Sequence, residues 1–421
     1  MSSTKYILSD LHLGAGDALD DFRSDREFSL LLEKASRNRG AELILNGDTF
    51  DFVAVRLEKP TYKPLSRMGC TEEESLVKLE RILEAHPLFF QSLREFIERG
   101  HRVILVPGNH DVDLFWPAVR ERLLEVLGFP GPEGFHFESS GTYVSHGLYV
   151  EHGHQYYADN AFEDFRHPFI RDKKKGLLHL ERCWGNCFVE YFVNHLFGER
   201  HSFVNNVRPI PNMILLGLQE EGWWFKLRCF LRLSLFLARV GLPPFKESKT
   251  LLERIREGRV DVGEYHRVKP SQLLRPWSKG KPKLSPASEP VEAVEEGEGE
   301  GEDSSPNEFC IDFLATRTDT LSAEARRILS EDQEVKVVVF GHDHRYFTNE
   351  LSPVVGKERG KYYINTGTWI PMLFLTQDHR ELGWKDLHNP KLYRRYLTYA
   401  VVKRGVRGLT ASLKRLENIP S

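Results

Sequence analysis

The chain lacks any stretch of about 20 uncharged apolar residues, the length that crosses a bilayer. Its Leu-, Phe- and Trp-rich segment 223–242 is broken by four cations. Cysteine is scarce, five residues without regular spacing, which excludes a disulfide scaffold and indicates free thiols in a reducing compartment. The opening MSSTKYILSDLHLG carries one Lys and a short apolar run stopped by Asp10, not the pattern of a signal peptide. The cytoplasm is the expected location, either free or peripheral to the inner face of the membrane. Net charge is also small, −3, and one tract accounts for its sign: residues 289–303 hold eight acids and no Lys or Arg, so setting them aside leaves +5. That balance suits an anionic substrate or a membrane surface but is too weak for a dedicated nucleic-acid binder. With 40% hydrophobic and 28% charged residues, the chain is too apolar to be disordered throughout. No repeat of fixed period is present.

Short β-branched runs bounded by Gly, Asp or Pro fall at 6–9, 42–46, 102–106, 148–151, 335–340 and 362–365, and such runs predict strands. Between the early ones, 22–39 and 87–99 carry apolar residues at three-to-four spacing, closed by Gly40 and Gly100, as helices with left-handed caps do. This β-α-β alternation predicts a sheet covered by helices. From about 159 the texture turns aromatic and cationic, and a helical insertion is expected. A Pro-, Ser-, Glu- and Gly-rich tract follows that cannot bury enough apolar area to offset its ordering entropy. The expected organisation is a core begun by 1–158, a helical insertion or cap at 159–277, an acidic linker at 278–308, and the rest of the core at 309–421.

The strand ends carry the chemistry. Asp10-Leu11-His12 follows the first strand, Asp48-Thr49-Phe50-Asp51 the second, Gly108-Asn109-His110-Asp111 the third, His152-Gly153-His154 the fourth and Gly341-His342-Asp343-His344 the fifth. In an open α/β sheet the loops beyond the strand carboxyl ends share one crevice. Carboxylate, imidazole and one carboxamide without thiolate suit a borderline divalent ion such as Mn, Fe or Zn rather than a structural zinc. Six or seven such donors exceed one ion's needs and fit two ions sharing a carboxylate. Each cluster alone is ordinary turn chemistry; five in order, each after a strand, are not. His146 competes with His152 for the fourth position, His154 is either a solvated turn residue, a neighbour of the ligands or a substrate-facing residue, and Asp111 fits a turn-capping role. Cys183 and Cys187, one helical turn apart, do not close a zinc site and read as core.

The ordered pattern D-x-H, G-D-x-x-D, G-N-H-D, a later His and G-H-x-H, with YINTGTW at 363–369, resembles the calcineurin-like metallophosphoesterases. The resemblance covers about 5–155 and 335–402. It implies an α/β fold, a four-layer αββα sandwich here enlarged by the helical insertion. It also implies a dinuclear centre. One ion would be held by Asp10, His12, Asp48 and His344, the other by Asp48, Asn109, His152 and His342, with hydroxide between them attacking phosphorus. His110, oriented by Asp51, would protonate the leaving oxygen or stabilise the phosphoryl group.

Substrate choice must lie outside this shared set. Arg228, Arg232 and Arg239 fall on one helical face, so 223–242 is expected either at a membrane surface or over an acyl chain, or as a buried lid with snorkelling arginines. The cationic run 166–175 is either a head-group contact or a solvated face. An apolar cap after the fourth motif is similar in part to bacterial UDP-2,3-diacylglucosamine hydrolases. Those often carry Arg where this chain has His110, which instead resembles general phosphoesterases and protein phosphatases. The expected substrates are therefore a lipid-linked phosphoester or pyrophosphate, or a soluble phosphomonoester, phosphodiester or nucleotide; a non-catalytic metal-binding scaffold is the third alternative.

Overall fold

The computed structural model describes residues 4–63, 65–128, 134–194, 203–208, 216–217, 219–241, 319–345, 361–375, 382–405 and 408–416. The acidic tract 278–308 lies outside the described residues. The strands are β1 Thr4–Leu8, β2 Glu42–Asn46, β3 Arg102–Val106, β4 Phe135–Phe137, β5 Thr142–Ser145, β6 Leu148–Glu151, β7 Phe169–Arg171 and β8 Leu178–Leu180, then β9 Val207–Arg208, β10 Val337–Phe340, β11 Tyr362–Asn365, β12 Leu373–Phe374, β13 Thr398–Gly405 and β14 Gly408–Arg415. The helices are α1 Asp25–Ser36, α2 Glu72–Ala85, α3 Pro87–Glu98, α4 Pro117–Leu127, α5 Trp184–Phe188, α6 Trp223–Val240 and α7 Asp319–Glu331.

Among the described residues the two larger sheets have the orders β14-β13-β1-β2-β3-β4 and β11-β10-β6-β5. The strands that lead to the polar clusters run parallel: Ile7 stands opposite Ile44 and Ile44 opposite Ile104 in the first sheet, Val337 opposite Leu148 and Tyr362 in the second. Parallel neighbours put their carboxyl ends on one edge.

Side-chain alternation along the strands sorts the core into layers. Ile7, Ile44, Ile104, Ala400 and Val402 pack with Leu148, Val150, Val337, Val339 and Ile364 of the other sheet. Their chain neighbours Leu8, Leu43, Leu45, Val103 and Leu105 turn to the opposite face, against Phe28, Leu31 and Leu32 of α1 and Phe89, Leu93 and Phe96 of α3. On the outer face of the second sheet, Val338 and Phe340 meet Leu321, Ala325 and Ile328 of α7. Helix, sheet, sheet and helix are thus stacked as a four-layer α/β sandwich. Gly100 follows α3 with φ of 82°, while α1 ends at Ser36, ahead of Gly40.

The segment after residue 159 is not uniformly helical, and here the expectation needs correction. Phe169–Arg171 and Leu178–Leu180 pair as an antiparallel hairpin, and β9 pairs with β12. Phe162, Phe165, Leu180 and Cys183 are buried in the main core. The aromatic spacing read as helix here arises from short elements that pack onto the sandwich. Among the described residues no helix is long and apolar enough to cross a membrane.

Candidate metal centre

The loops beyond β1 and β2 continue side by side. Asp10 donates its backbone N–H to Gly47 O at 3.1 Å, His12 to Asp48 O at 2.9 Å and Leu13 to Thr49 O at 3.0 Å. The turn after β11 closes over them: Thr368 Oγ1 donates to Asp10 O at 2.6 Å, and Trp369 N donates to the same oxygen at 3.2 Å. Asn365 ties in the loop after β10, donating from Nδ2 to Gly341 O at 3.1 Å and Asp343 Oδ1 at 2.8 Å. Asp111 caps the third loop by accepting from Gly108 N at 2.5 Å and Thr49 N at 2.9 Å.

These bonds hold Asp10, His12, Asp48, His342 and His344 at φ of 55°, 53°, 49°, 71° and 60°. A non-glycine residue in this left-handed region costs roughly 1–2 kcal/mol. Five at one spot persist only where the surroundings over-determine them, as at functional sites.

Three groups of donors result, each with its atoms within 4.8 Å of one another: Asp10, His12 and His344; Asp48, His152 and His342; and His12, Asp51 and His110. His344 Nε2 lies 3.1 Å from His12 Nε2 and 3.4 Å from Asp10 Oδ1. Asp48 Oδ2 lies 3.1 Å from His152 Nε2 and 3.9 Å from His12 Nε2, so one oxygen faces both ligand groups. Donors at ~2.1 Å from a divalent ion stand roughly 3.0–3.4 Å apart, so the close separations fit a small cation.

Satisfaction and charge agree with that fit. Asn109 Oδ1 and His342 Nδ1 are buried with no hydrogen-bond partner, where buried polar atoms are otherwise paired. Burial raises the Asp10 pKa and the nearby His152 only partly offsets this, a cost that a bound cation would offset. Burial, together with His152 in one case and His12 in the other, holds His342 and His344 well below the usual imidazole range. A neutral imidazole is the form that binds metal.

A second unit adjoins. Burial alone would raise the Asp51 carboxyl, but His110 and His12 outweigh it and keep Asp51 far below the usual range. Its Oδ1 is 2.9 Å from His110 Nδ1 and its Oδ2 3.1 Å from His12 Nδ1. Against burial, Asp51 and Asp48 push the pKa of the partly exposed His110 up to about 9.

His146 stays in the β5–β6 turn with its Nδ1 2.9 Å from Ser145 Oγ, at the far end of β6 from His152. His154 is no solvated turn residue: it is fully buried, its ring 4.4 Å from Phe165 and 5.5 Å from His152. Cys183 and Cys187 are buried free thiols. Two further residues come from the segment after 159. Asn186 donates from Nδ2 to Asn109 O at 2.6 Å and accepts from Asn109 Nδ2 at 3.2 Å, and Asn160 Nδ2 lies 3.2 Å from His342 Nε2. Neither has a spacing signal; only the Cys183 sulfur, which accepts from Asn186 N and caps α5, hints at a built turn.

A parallel-edge crevice lined by His, Asp and Asn, with the Asp51–His110 pair beside it, is a site able to hold metal ions. The model of the calcineurin-like phosphoesterase family matches residues 5–226, more than half of the chain. The chain belongs to this family, and its activity is metal-dependent hydrolysis of phosphoesters. The match runs past residue 155 into the segment that supplies Asn160 and Asn186. No curated protein matches the chain.

Proposed function

We propose that the chain hydrolyses a phosphoester or phosphoanhydride bond at a centre of two divalent ions, Mn, Fe or Zn. Asp10, His12, Asp48 and His344 would hold one, and Asp48, Asn109, His152 and His342 the other. The observation that carries the proposal is the place of Asp48 Oδ2, 3.1 Å from His152 Nε2 of one donor group and 3.9 Å from His12 Nε2 of the other. When bound, the ions supply Lewis-acid charge and acidify water. The remaining work belongs to side chains. Asp51 fixes the tautomer and rotation of His110, donating nothing itself and accepting the Nδ1 proton, so the Nε2 proton is free to pass to the leaving oxygen. The imidazolium also opposes charge building on the phosphoryl oxygens. Asn186 fixes the Asn109 carboxamide from behind.

The substrate we favour is an amphiphilic, lipid-linked phosphoester such as a UDP-diacylglucosamine. The support is the partial likeness in cap placement together with the apolar helix α6, which adjoins the α5 that anchors Asn109. A soluble phosphomonoester or phosphodiester is the second reading, favoured by His110. The four described cysteines are unpaired thiols, which suits a cytoplasmic setting. The test is turnover by the Mn-loaded protein on an aryl monoester, an aryl diester and a UDP-diacylated glucosamine in detergent, each with and without chelator. UMP release that chelator abolishes supports the first reading, and aryl cleavage alone the second. No chelator-sensitive turnover on any of the three would return the scaffold alternative.

A further inference from the structure

Helix α6 presents its apolar side outward. Trp223, Trp224 and Phe230 are 71%, 76% and 67% exposed, and Leu231 and Leu235 are exposed as well. At 100° per residue these five side chains fall in one stripe ~140° wide. The opposite side holds the helix to the protein: Phe236 is fully buried, its ring 5.3 Å from Trp184 and 5.6 Å from Phe188 of α5. Trp184 Nε1 donates to Gly241 O at 3.0 Å just past the helix end. A lid buried in the protein would show the reverse pattern, so the snorkelling-lid expectation for 223–242 does not hold for this helix.

The charges on α6 are ordered around the same stripe. The helix carries Lys226, Arg228, Arg232 and Arg239 and not one acid. Arg228, Arg239 and Arg232 follow one margin of the stripe in sequence of angle, and Lys226 lies beyond the other. An apolar stripe with cations along its margins and tryptophans at one end is the pattern of a helix lying in a lipid interface. There the apolar residues enter the acyl boundary and the cations reach lipid phosphates.

We propose that the outward face of α6 docks this enzyme on the surface of an anionic phospholipid bilayer. A protein partner of the same shape would need complementary acids, whereas an anionic leaflet offers both an apolar layer and a continuous sheet of negative charge. The geometry also places the docked face close to the chemistry. The residues under α6 are Trp184 and Phe188 of α5, and the same short helix carries Asn186, which holds Asn109. The proposal stands whether the hydrolysed ester is lipid-linked or soluble, because it is read by binding alone.

The experiment is co-sedimentation of the full chain with vesicles of phosphatidylglycerol and phosphatidylcholine, against vesicles of phosphatidylcholine only, at low and high salt. Binding to the anionic vesicles that weakens with salt is expected. W223S/W224S and R228E/R239E should each weaken it at least tenfold. Both pairs are exposed, so the far-UV circular dichroism spectrum and the thermal unfolding midpoint should stay at the wild-type level and show that the variants are folded. Equal binding to both vesicle types, or binding that neither pair alters, would overturn the proposal. So would an absence of vesicle binding, including one in which the protein dimerises through the helix instead.

Discussion

Gly108 stands where the chain has no room for a side chain. A Cβ there would lie 2.2 Å from Asp48 Oδ1, 2.6 Å from Asp48 N and 3.0 Å from Asp48 Cγ, against an ordinary contact of ~3.5 Å. Gly108 is outside the left-handed region, so Gly108→Ala tests the contact alone. Relief requires Asp48 or the third loop to move by about 1 Å. Asp48 Oδ1 accepts from His110 N at 2.9 Å and Oδ2 lies 3.1 Å from His152 Nε2, so the movement separates the shared carboxylate from both neighbours. Overpacking of this kind costs about 1–3 kcal/mol in stability, and a misplacement of about 1 Å in a catalytic group costs on the order of 10²-fold in rate. Metal content after dialysis, chelator competition and kcat on an aryl ester measure the loss. Gly100→Ala is the control: its φ is 82° but nothing lies within 4 Å, so it should lower stability by about 1 kcal/mol and leave kcat alone. Wild-type metal affinity and kcat in Gly108→Ala, or an equal kcat loss in the control, would refute the packing argument.

His110→Ala should retain metal and lose about 10² to 10⁴-fold in kcat, the range for loss of a general acid; wild-type rates on both activated and unactivated esters would remove His110 from the chemistry. Asp48→Asn should lose metal stoichiometry and turnover together, which elemental analysis of the purified variant checks. Asn186→Leu, which leaves all the proposed ligands in place, should weaken metal binding roughly 10–100-fold, as removal of groups behind a ligand does, and a titration matching wild type would show that the Asn109 contact is idle. His86, wedged between α2 and α3, lies 2.8 Å from Asp20 and 3.1 Å from Asp25. Against burial, these carboxylates raise its pKa to about 9, above the unfolded value of ~6.5. Its contribution, at most about 3 kcal/mol by this shift, is therefore complete below pH ~6.5 and lost as pH rises through about 9. Denaturation midpoints of wild type should fall across that window more than those of His86→Gln, and parallel profiles would contradict the assignment.

Strands β1, β2, β3, β6, β10 and β11 and helix α3 were legible because each shows a local signal: β-branched runs ending at Gly or Asp, or apolar spacing ended by Gly100. Helix α2 had a usable signal that periodicity misses. The Thr71 and Glu74 capping box is formed, with Thr71 N donating to Glu74 Oε2 at 2.8 Å, and its sequence T-E-E-E is the corresponding signature. The segment after 159 carries less helix than its spacing predicts, because short aromatic elements packed on a core share their spacing with amphipathic helices.

The sequence by itself determined the inventory and its order, five polar clusters each placed after a strand, because strand periodicity and turn chemistry are local properties. The tertiary structure decided what the clusters do together. Side-by-side loops hold five of the proposed ligands at positive φ, one Asp51 serves two imidazoles, and two asparagines distant in sequence brace the far wall. It also decided which side of α6 faces out, since a helical wheel gives the relative angles of side chains but not the surface on which the helix rests.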